Sequence, residues 1–156
     1  MRSSFVLVVL SVLFLGGCFP ILQKSESTPN AAESVEQIRA KAEQGDAAAQ
    51  FNLGVIYYEG RGVQQDYNQA AAWYRKAAEH GHAKAQFNLG VMYKKGQGVP
   101  QDYAQSYMWV NLAAAKGLAN AVKTRDNLVN KLTPSQIEEG QRLTREWLAT
   151  HPQAKQ

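Results

Sequence analysis

The sequence contains a single cysteine, Cys18, which excludes an intramolecular disulfide, so the fold must be held together by packing alone. It has no long hydrophobic run, because the apolar stretch from Phe5 to Leu15 is shorter than the roughly 20 residues that a membrane-spanning helix needs. A large excess of one charge is also missing, since the sequence has 17 basic and 13 acidic side chains. A net charge of +4 without a basic cluster does not predict binding to nucleic acid.

Residue patterns that carry catalysis are equally scarce. His80 and His82 flank a glycine, but no cysteine and no nearby Glu-x-x-His motif completes a metal site. We therefore interpret this pair as a solvated helix end. No Ser-x-x-Lys motif occurs, and the glycine pair Gly60-x-Gly62 follows a predicted helix, whereas a dinucleotide-binding turn follows a strand. The sequence predicts no catalytic residue, no metal ligand and no cofactor.

The first residues have the pattern of an export signal. Arg2 provides a positive charge, the apolar stretch follows, and two small residues, Gly16 and Gly17, come next. The run Leu15-Gly16-Gly17-Cys18 resembles the bacterial lipobox, which implies lipid attachment at Cys18 and a membrane anchor. The alternative is an ordinary secretory signal with an incidental thiol. Export from the cytoplasm is predicted in both cases.

We assign residues 1–17 to a lipoprotein signal peptide and residues 18–33 to a lipidated, flexible tether containing Pro20 and Pro29. The expected location is the cell envelope. In diderm lipoproteins an aspartate directly after the lipidated cysteine resembles an inner-membrane retention signal. This chain has Phe19 at that position, so the expected location in a diderm cell is the outer membrane, facing the periplasm.

Beyond the tether the chain repeats itself. Residues 45–80 laid on residues 81–116 are identical at 20 of 36 positions, which predicts a repeat architecture. In the first copy Ala49, Leu53 and Tyr57 lie within about 40° of one another on a helical wheel and predict a buried stripe. Each copy is predicted to fold as a helix, a glycine-rich turn and a second helix.

Glycines and caps mark the helix ends. Gly60 and Gly62 are expected to end the first helix with positive φ, and Asp66 is expected to cap the second helix, with Gln69 completing a variant capping box. Gly54 within the first helix is expected to allow a partner helix to approach closely. The equivalents in the second copy are Gly96, Gly98, Asp102, Gln105 and Gly90.

The pattern extends past the two copies. Ile38 and Ala42 are in register with Tyr74 and Ala78 and predict a lone capping helix. At the other end Thr133, Pro134 and Gln136 start another helix, from which Ile137, Leu143 and Trp147 are expected to turn inward. We assign the helical domain to residues 34–151, with full repeats at about 47–80 and 83–116, caps at 34–44 and 119–149, and a tail at 152–156.

Residues 49–78 resemble the Sel1-like repeat, a relative of the tetratricopeptide repeat, whose pattern is Ala-x-x-x-Leu-Gly-x-x-Tyr-x-x-Gly-x-Gly-Val-x-x-Asp followed by Ala-x-x-Trp-Tyr-x-x-Ala-Ala. Residues 85–114 match it with departures at Ser106 and Val110. The resemblance implies an all-α fold, a right-handed α-solenoid of antiparallel helix pairs with about seven helices. It also implies an interaction scaffold and not an enzyme.

Tetratricopeptide-like folds line a concave groove with one face of the first helix, and this resemblance implies a set of candidate binding residues for a protein or peptide partner. They are Phe51, Asn52, Val55, Tyr58, Phe87, Asn88, Val91 and Lys94. An alternative for the two phenylalanines is packing against the neighbouring repeat. For the whole chain the alternatives to an envelope scaffold are a secreted hydrolase of β-lactamase type and a purely structural adaptor.

Overall fold

A computed structural model of the chain describes residues 34–152. This part contains helices and turns but no strand, which confirms the predicted all-α class. The described residues form seven helices, which confirms the predicted number of about seven. They are α1 (Val35–Glu43), α2 (Ala47–Glu59), α3 (Tyr67–Glu79), α4 (Ala83–Lys95), α5 (Tyr103–Ala115), α6 (Ala119–Val129) and α7 (Pro134–Thr150).

The 36-residue period sets the helix starts. Helices α2, α4 and α6 begin at Ala47, Ala83 and Ala119, and α3 and α5 begin at Tyr67 and Tyr103. Each helix packs on its sequence neighbours from α1 through α6, so that α3 lies against both α2 and α4, and α5 lies against both α4 and α6. The result is an α-solenoid in which α2, α4 and α6 form a first-helix layer and α1, α3 and α5 form a second-helix layer.

The helix ends follow local chemistry. Gly60 and Gly96 adopt left-handed conformations at the ends of α2 and α4, as predicted. The Asp66 carboxylate accepts hydrogen bonds from the backbone amides of Asn68 and Gln69 at 2.8 and 3.0 Å. The variant capping box expected there is one-sided, since Gln69 contributes its backbone amide and not its side chain. Complete capping boxes form at Ser34 and Thr133, which start the two terminal helices.

The core depends on small residues that bring helices close together. A Cβ atom on Gly54 would lie 2.6 Å from Cδ1 of Tyr74, and one on Gly90 would lie 2.7 Å from Cγ2 of Val110. The predicted close approach at both glycines is therefore confirmed. Leu53 is completely buried, with 0% exposure, beside this contact.

Two buried glutamines join successive repeats. The Gln50 side-chain amide donates to the Ala42 carbonyl at 3.1 Å, and Gln86 donates to the Ala78 carbonyl at 3.1 Å. Each bond is a second hydrogen bond to a carbonyl that already accepts the backbone N–H of Gly45 or Gly81, and it ties the end of a second-layer helix to the next first-layer helix. The repeated glutamines thus hold the register between neighbouring repeats.

Helix α7 closes the C-terminal end by packing on α5. A Cβ atom on Gly140 would lie 2.7 Å from Cδ1 of Tyr107, so the two helices touch at this glycine. Trp147 meets Trp109 edge to face with ring centroids 5.9 Å apart, and Leu143 also packs on the core, as expected. Ile137 is half-buried. Within residues 34–152 no helix has the length and apolarity needed to cross a membrane.

Candidate binding groove

The first-layer helices α2 and α4 enclose a cleft of about 180 Å³. Its lining combines apolar side chains, two tyrosines, an amide and a carboxylate: Val55, Tyr58, Glu59, Tyr74, Asn88, Val91 and Met92. Four of these residues, Val55, Tyr58, Asn88 and Val91, belong to the set predicted from the sequence. They meet because α3 packs against both α2 and α4 and sets their separation. We call this the apolar cleft.

A second, wider cleft of about 390 Å³ lies around the N-terminal turn of α4. It is lined by Ala48, Phe51, Asn52, His82, Ala83 and Lys84. Two predicted residues, Phe51 and Asn52, therefore border it. We call this the N-terminal cleft, and together with the apolar cleft it makes up the candidate groove.

The two predicted phenylalanines pack against neighbouring repeats. The Phe51 ring stacks on the His82 imidazole with centroids 4.7 Å apart and lies 5.8 Å from the Tyr74 ring. Phe87 packs on a cluster that contains Val110 of α5 and Ala121 of α6. This is the alternative that the sequence left open for them, although Phe51 also forms part of the N-terminal cleft.

The two predicted asparagines have different surroundings. Asn52 is exposed, whereas Asn88 is half-buried and its side chain interacts with the Tyr74 hydroxyl. Burial raises the pKa of Tyr74 to about 12, and the contact with Asn88 opposes that rise only in part. Asn88 is therefore engaged by the fold, and Asn52 remains available to a ligand.

The last two predicted residues also differ. Tyr58 is half-buried, with its ring 5.2 Å from that of Tyr67 and its hydroxyl 3.4 Å from Oε1 of Gln97. Lys94 occupies the equivalent position in α4 and is exposed. The structure thus places Tyr58 in the wall of the apolar cleft and leaves the Lys94 side chain in solvent.

The solvated helix end predicted at His80 and His82 is correct for His80, which is exposed at the end of α3, and wrong about the solvation of His82, which begins α4. The imidazole is half-buried under Phe51, and its Nδ1 accepts the backbone N–H of Ala85 at 3.2 Å, which caps α4. Burial, and then the charge of Lys84, hold the pKa of His82 below its usual value. Among residues 34–152 no group of three or more His, Cys, Asp or Glu side chains is arranged to hold a metal ion.

Sequence reasoning did not find seven residues that line the clefts: Ala48, Glu59, Tyr74, His82, Ala83, Lys84 and Met92. A helical wheel could have found Glu59 and Lys84, which lie on the same helix faces as Val55 and Val91. Tyr74 and Met92 are core residues with 2% and 1% exposure, so no surface pattern marks them. Cys18, the predicted lipid-attachment residue, lies outside the described residues.

Comparison with known proteins gives consistent matches. The Sel1 repeat model matches residues 47–82 and 83–118. The secretory immunoglobulin A-binding protein EsiB of Escherichia coli is 41% identical over 77 residues, which are 49% of this chain and 14% of that protein. This chain is therefore much shorter than that relative.

Two solved structures are also similar to this chain. A protective antigen of uropathogenic Escherichia coli strains that displays an SLR fold is similar at a TM-score of 0.73 and 38% identity, over 78% of this chain and 26% of that one. A Sel1 repeat protein from Oxalobacter formigenes is similar at a TM-score of 0.59 and 39% identity, over 60% of this chain and 70% of that one. The chain belongs to the Sel1 repeat family.

Proposed function

We propose that this protein is a cell-envelope lipoprotein that binds a protein partner through a peptide segment lying in the candidate groove. The observation that carries the proposal is the apolar cleft between α2 and α4, where four residues predicted independently from the sequence meet. An engineered cavity of about 150 Å³ holds a benzene molecule, so a cleft of similar size has room for one apolar side chain of a partner.

Membership of the Sel1 repeat family supports protein binding as the class of function. Sel1 repeat proteins are generally scaffolds for protein interactions. The relative EsiB is named for binding a protein, secretory immunoglobulin A. Since this chain spans only 14% of EsiB, we take from that name the class of partner, a protein, and not its identity.

The proposed location depends on the N-terminal sequence. The lipobox-like run ending at Cys18 supports lipid anchoring, and Phe19 supports outer-membrane sorting in a diderm cell. A tether over residues 18–33 would hold the helical domain away from the lipid surface and leave the groove accessible to a partner in the envelope.

Site-specific photocrosslinking in the native cell tests the groove. A photoreactive phenylalanine analogue replaces Tyr58 in the apolar cleft or, as a matched aromatic control, Tyr103, which is 36% exposed on the second-layer helix α5. We expect one partner segment to crosslink at position 58 and not at 103. Filling the cleft with Val91→Trp should abolish that crosslink. Equal crosslinking at both positions, or none at 58 from a protein that still co-purifies with its partner, would refute the groove as the binding site.

The proposed role is non-catalytic. We expect no turnover of a chromogenic β-lactam by the purified full-length protein. Turnover that a single point mutation abolishes would replace the scaffold with the hydrolase alternative.

A further inference from the structure

The groove faces of α2 and α4 differ in charge, although their sequences are nearly the same. Nine of the 13 aligned positions in these helices are identical. One of the four differences is a buried exchange of Ile56 for Met92. The other three each place a lysine on α4: Ala48 becomes Lys84, Tyr58 becomes Lys94, and Glu59 becomes Lys95.

All three lysines lie on the groove face of α4. At about 100° per residue, Lys84, Lys94 and Lys95 fall within roughly 60° of Val91, and Leu89 lies on the opposite, buried side. Their side chains are exposed, and Lys84 borders the N-terminal cleft. None of the three forms an ion pair with another residue of 34–152. Three uncompensated positive charges therefore flank the apolar residues of this helix.

The positive charge is distributed unevenly along the groove, because the neighbouring helices α2 and α6 differ in charge. On α2 the same face carries Glu59, whose Oε2 lies 2.6 Å from Nε of Arg61 and is therefore locally neutralised. On α6 the residue equivalent to Phe87 is Lys123, which is exposed and adds positive charge beyond α4. The groove thus changes from apolar and aromatic at α2 to basic at α4 and α6.

We propose that the segment bound by this groove is acidic, with one apolar residue that enters the apolar cleft and Asp or Glu residues that lie over Lys84, Lys94 and Lys95. This inference rests on the proposed peptide-binding function and specifies the chemistry of the partner. Charge complementarity supports it, because opposite charges across an interface speed association and exclude segments of the wrong sign. A cleft sized for one apolar side chain favours a peptide over a flat anionic membrane surface, which would use the lysines alone.

The test uses the purified full-length protein in a neutral detergent and a phage-displayed library of random 12-residue peptides. The wild-type protein should select peptides in which Asp or Glu flanks an apolar residue. The variant Lys84→Gln/Lys94→Gln/Lys95→Gln should lose the acidic preference and keep the apolar one. A control variant, Lys41→Gln/Lys76→Gln/Arg145→Gln, removes the same number of charges from α1, α3 and α7 and should select the wild-type peptides.

Affinities make the test quantitative. Losing three exposed charge contacts should weaken binding of a selected acidic peptide by roughly 3- to 100-fold. Replacing Glu by Gln in that peptide should weaken binding to the wild type by a similar factor and leave binding to the lysine variant unchanged. Raising the salt concentration should reduce the difference between the two proteins, since exposed charges are screened.

The possible failures are distinct. Selection of apolar peptides without acidic residues would overturn this inference and leave the proposed function intact. An acidic preference that survives in the lysine variant would also overturn it, because the charges would then be recognised elsewhere. Selection of no peptide at all would count against the proposed function itself. If, in addition, vesicles containing phosphatidylglycerol bound the wild type and not the lysine variant, the basic face would be assigned to the membrane.

Discussion

Gly98 in the second repeat lies directly against the main chain at Tyr67 in the first. A Cβ atom on Gly98 would collide with the Tyr67 carbonyl group and would lie 2.9 Å from the amide nitrogen of Asn68. Gly62 is its equivalent in the first repeat, and its nearest neighbour is Cγ2 of Val35 at 3.5 Å. The two glycines share a positive φ, 71° at Gly62 and 65° at Gly98, but only Gly98 is also required by contact between repeats.

Alanine substitutions at Gly62 and Gly98 distinguish the cost of a positive φ from the cost of a steric clash with the main chain. Gly62→Ala should lower the free energy of unfolding by about 1–2 kcal/mol, the cost of a left-handed conformation for a residue with a Cβ. Gly98→Ala should lower it by at least about 2 kcal/mol more, because main-chain atoms cannot rotate away from the new methyl group. Urea denaturation of both variants gives the comparison. Equal losses would show that Gly98 and Tyr67 are not in close contact.

The two repeated leucines should be the most costly of the predicted core positions to truncate. Leu53 and Leu89 both have 0% exposure, so Leu53→Ala or Leu89→Ala should cost about 2–5 kcal/mol by leaving a cavity between helices. Against a typical total stability of about 5–15 kcal/mol this loss is severe. Thermal melting followed by circular dichroism measures it. A variant that melts like the wild type would mean that the site can collapse around the smaller side chain.

The equivalent asparagines should respond differently to truncation. Asn88→Ala should destabilise the protein by about 0.5–1.5 kcal/mol, because it removes a polar neighbour from the buried Tyr74 hydroxyl. Asn52→Ala at the exposed equivalent should leave the melting temperature nearly unchanged. Differential scanning calorimetry of the two single variants decides the matter. Identical effects would place both amides in the same environment, contrary to the structure.

His82 should make the stability sensitive to acid. Its pKa in the folded state lies below the unfolded value of about 6.5, so folding disfavours the protonated form. The contribution of this residue is therefore complete above pH 6.5 and is lost as the pH falls through about 6.5 towards the folded pKa. Protonation also removes the Nδ1 lone pair that accepts the Ala85 amide.

The first repeat provides a matched variant for this test. Asp46 caps α2 in the same way, accepting the Ala49 amide at 2.7 Å, so His82→Asp should keep the cap of α4 without an imidazole. Melting temperatures of both proteins between about pH 8 and 5.5 should diverge as the pH falls, with the aspartate variant less affected. Parallel curves would rule out His82 as the source of the acid sensitivity.

The anchoring prediction concerns Cys18. If the thiol is lipidated, labelled palmitate should enter the wild-type protein in bacterial cells and should not enter Cys18→Ser. The serine variant should also leave the membrane fraction, because a covalent lipid chain supplies about 0.8 kcal/mol per buried methylene and serine has no thiol to carry it. Unchanged labelling of the serine variant would contradict lipidation at this residue. Fractionation of the wild type with the inner membrane would contradict the outer-membrane assignment alone.

The sequence by itself determined the repeat, the helices and their ends. The 36-residue period, the helix starts at Ala47 and Ala83 and the glycine turns at Gly60 and Gly96 all follow from contacts within a few residues along the chain. Propensities, caps and positive φ angles act at that range, so a local pattern is sufficient to predict them. The apolar cleft was found in part for the same reason, since a helical wheel shows which side chains lie opposite the core.

Contacts between repeats were decided only by the tertiary structure. Asn52 and Asn88 stand in identical local sequences but have different neighbours. The second-layer helix before Asn88 carries Tyr74, whose hydroxyl contacts Asn88. The residue equivalent to Tyr74 in the helix before Asn52 is Ile38, which has no hydroxyl. His82 is half-buried because Phe51 of the preceding repeat covers it, and Gly98 is constrained because the main chain at Tyr67 lies against it. Two copies of one pattern acquire different roles because each packs against different neighbours, which no local periodicity encodes.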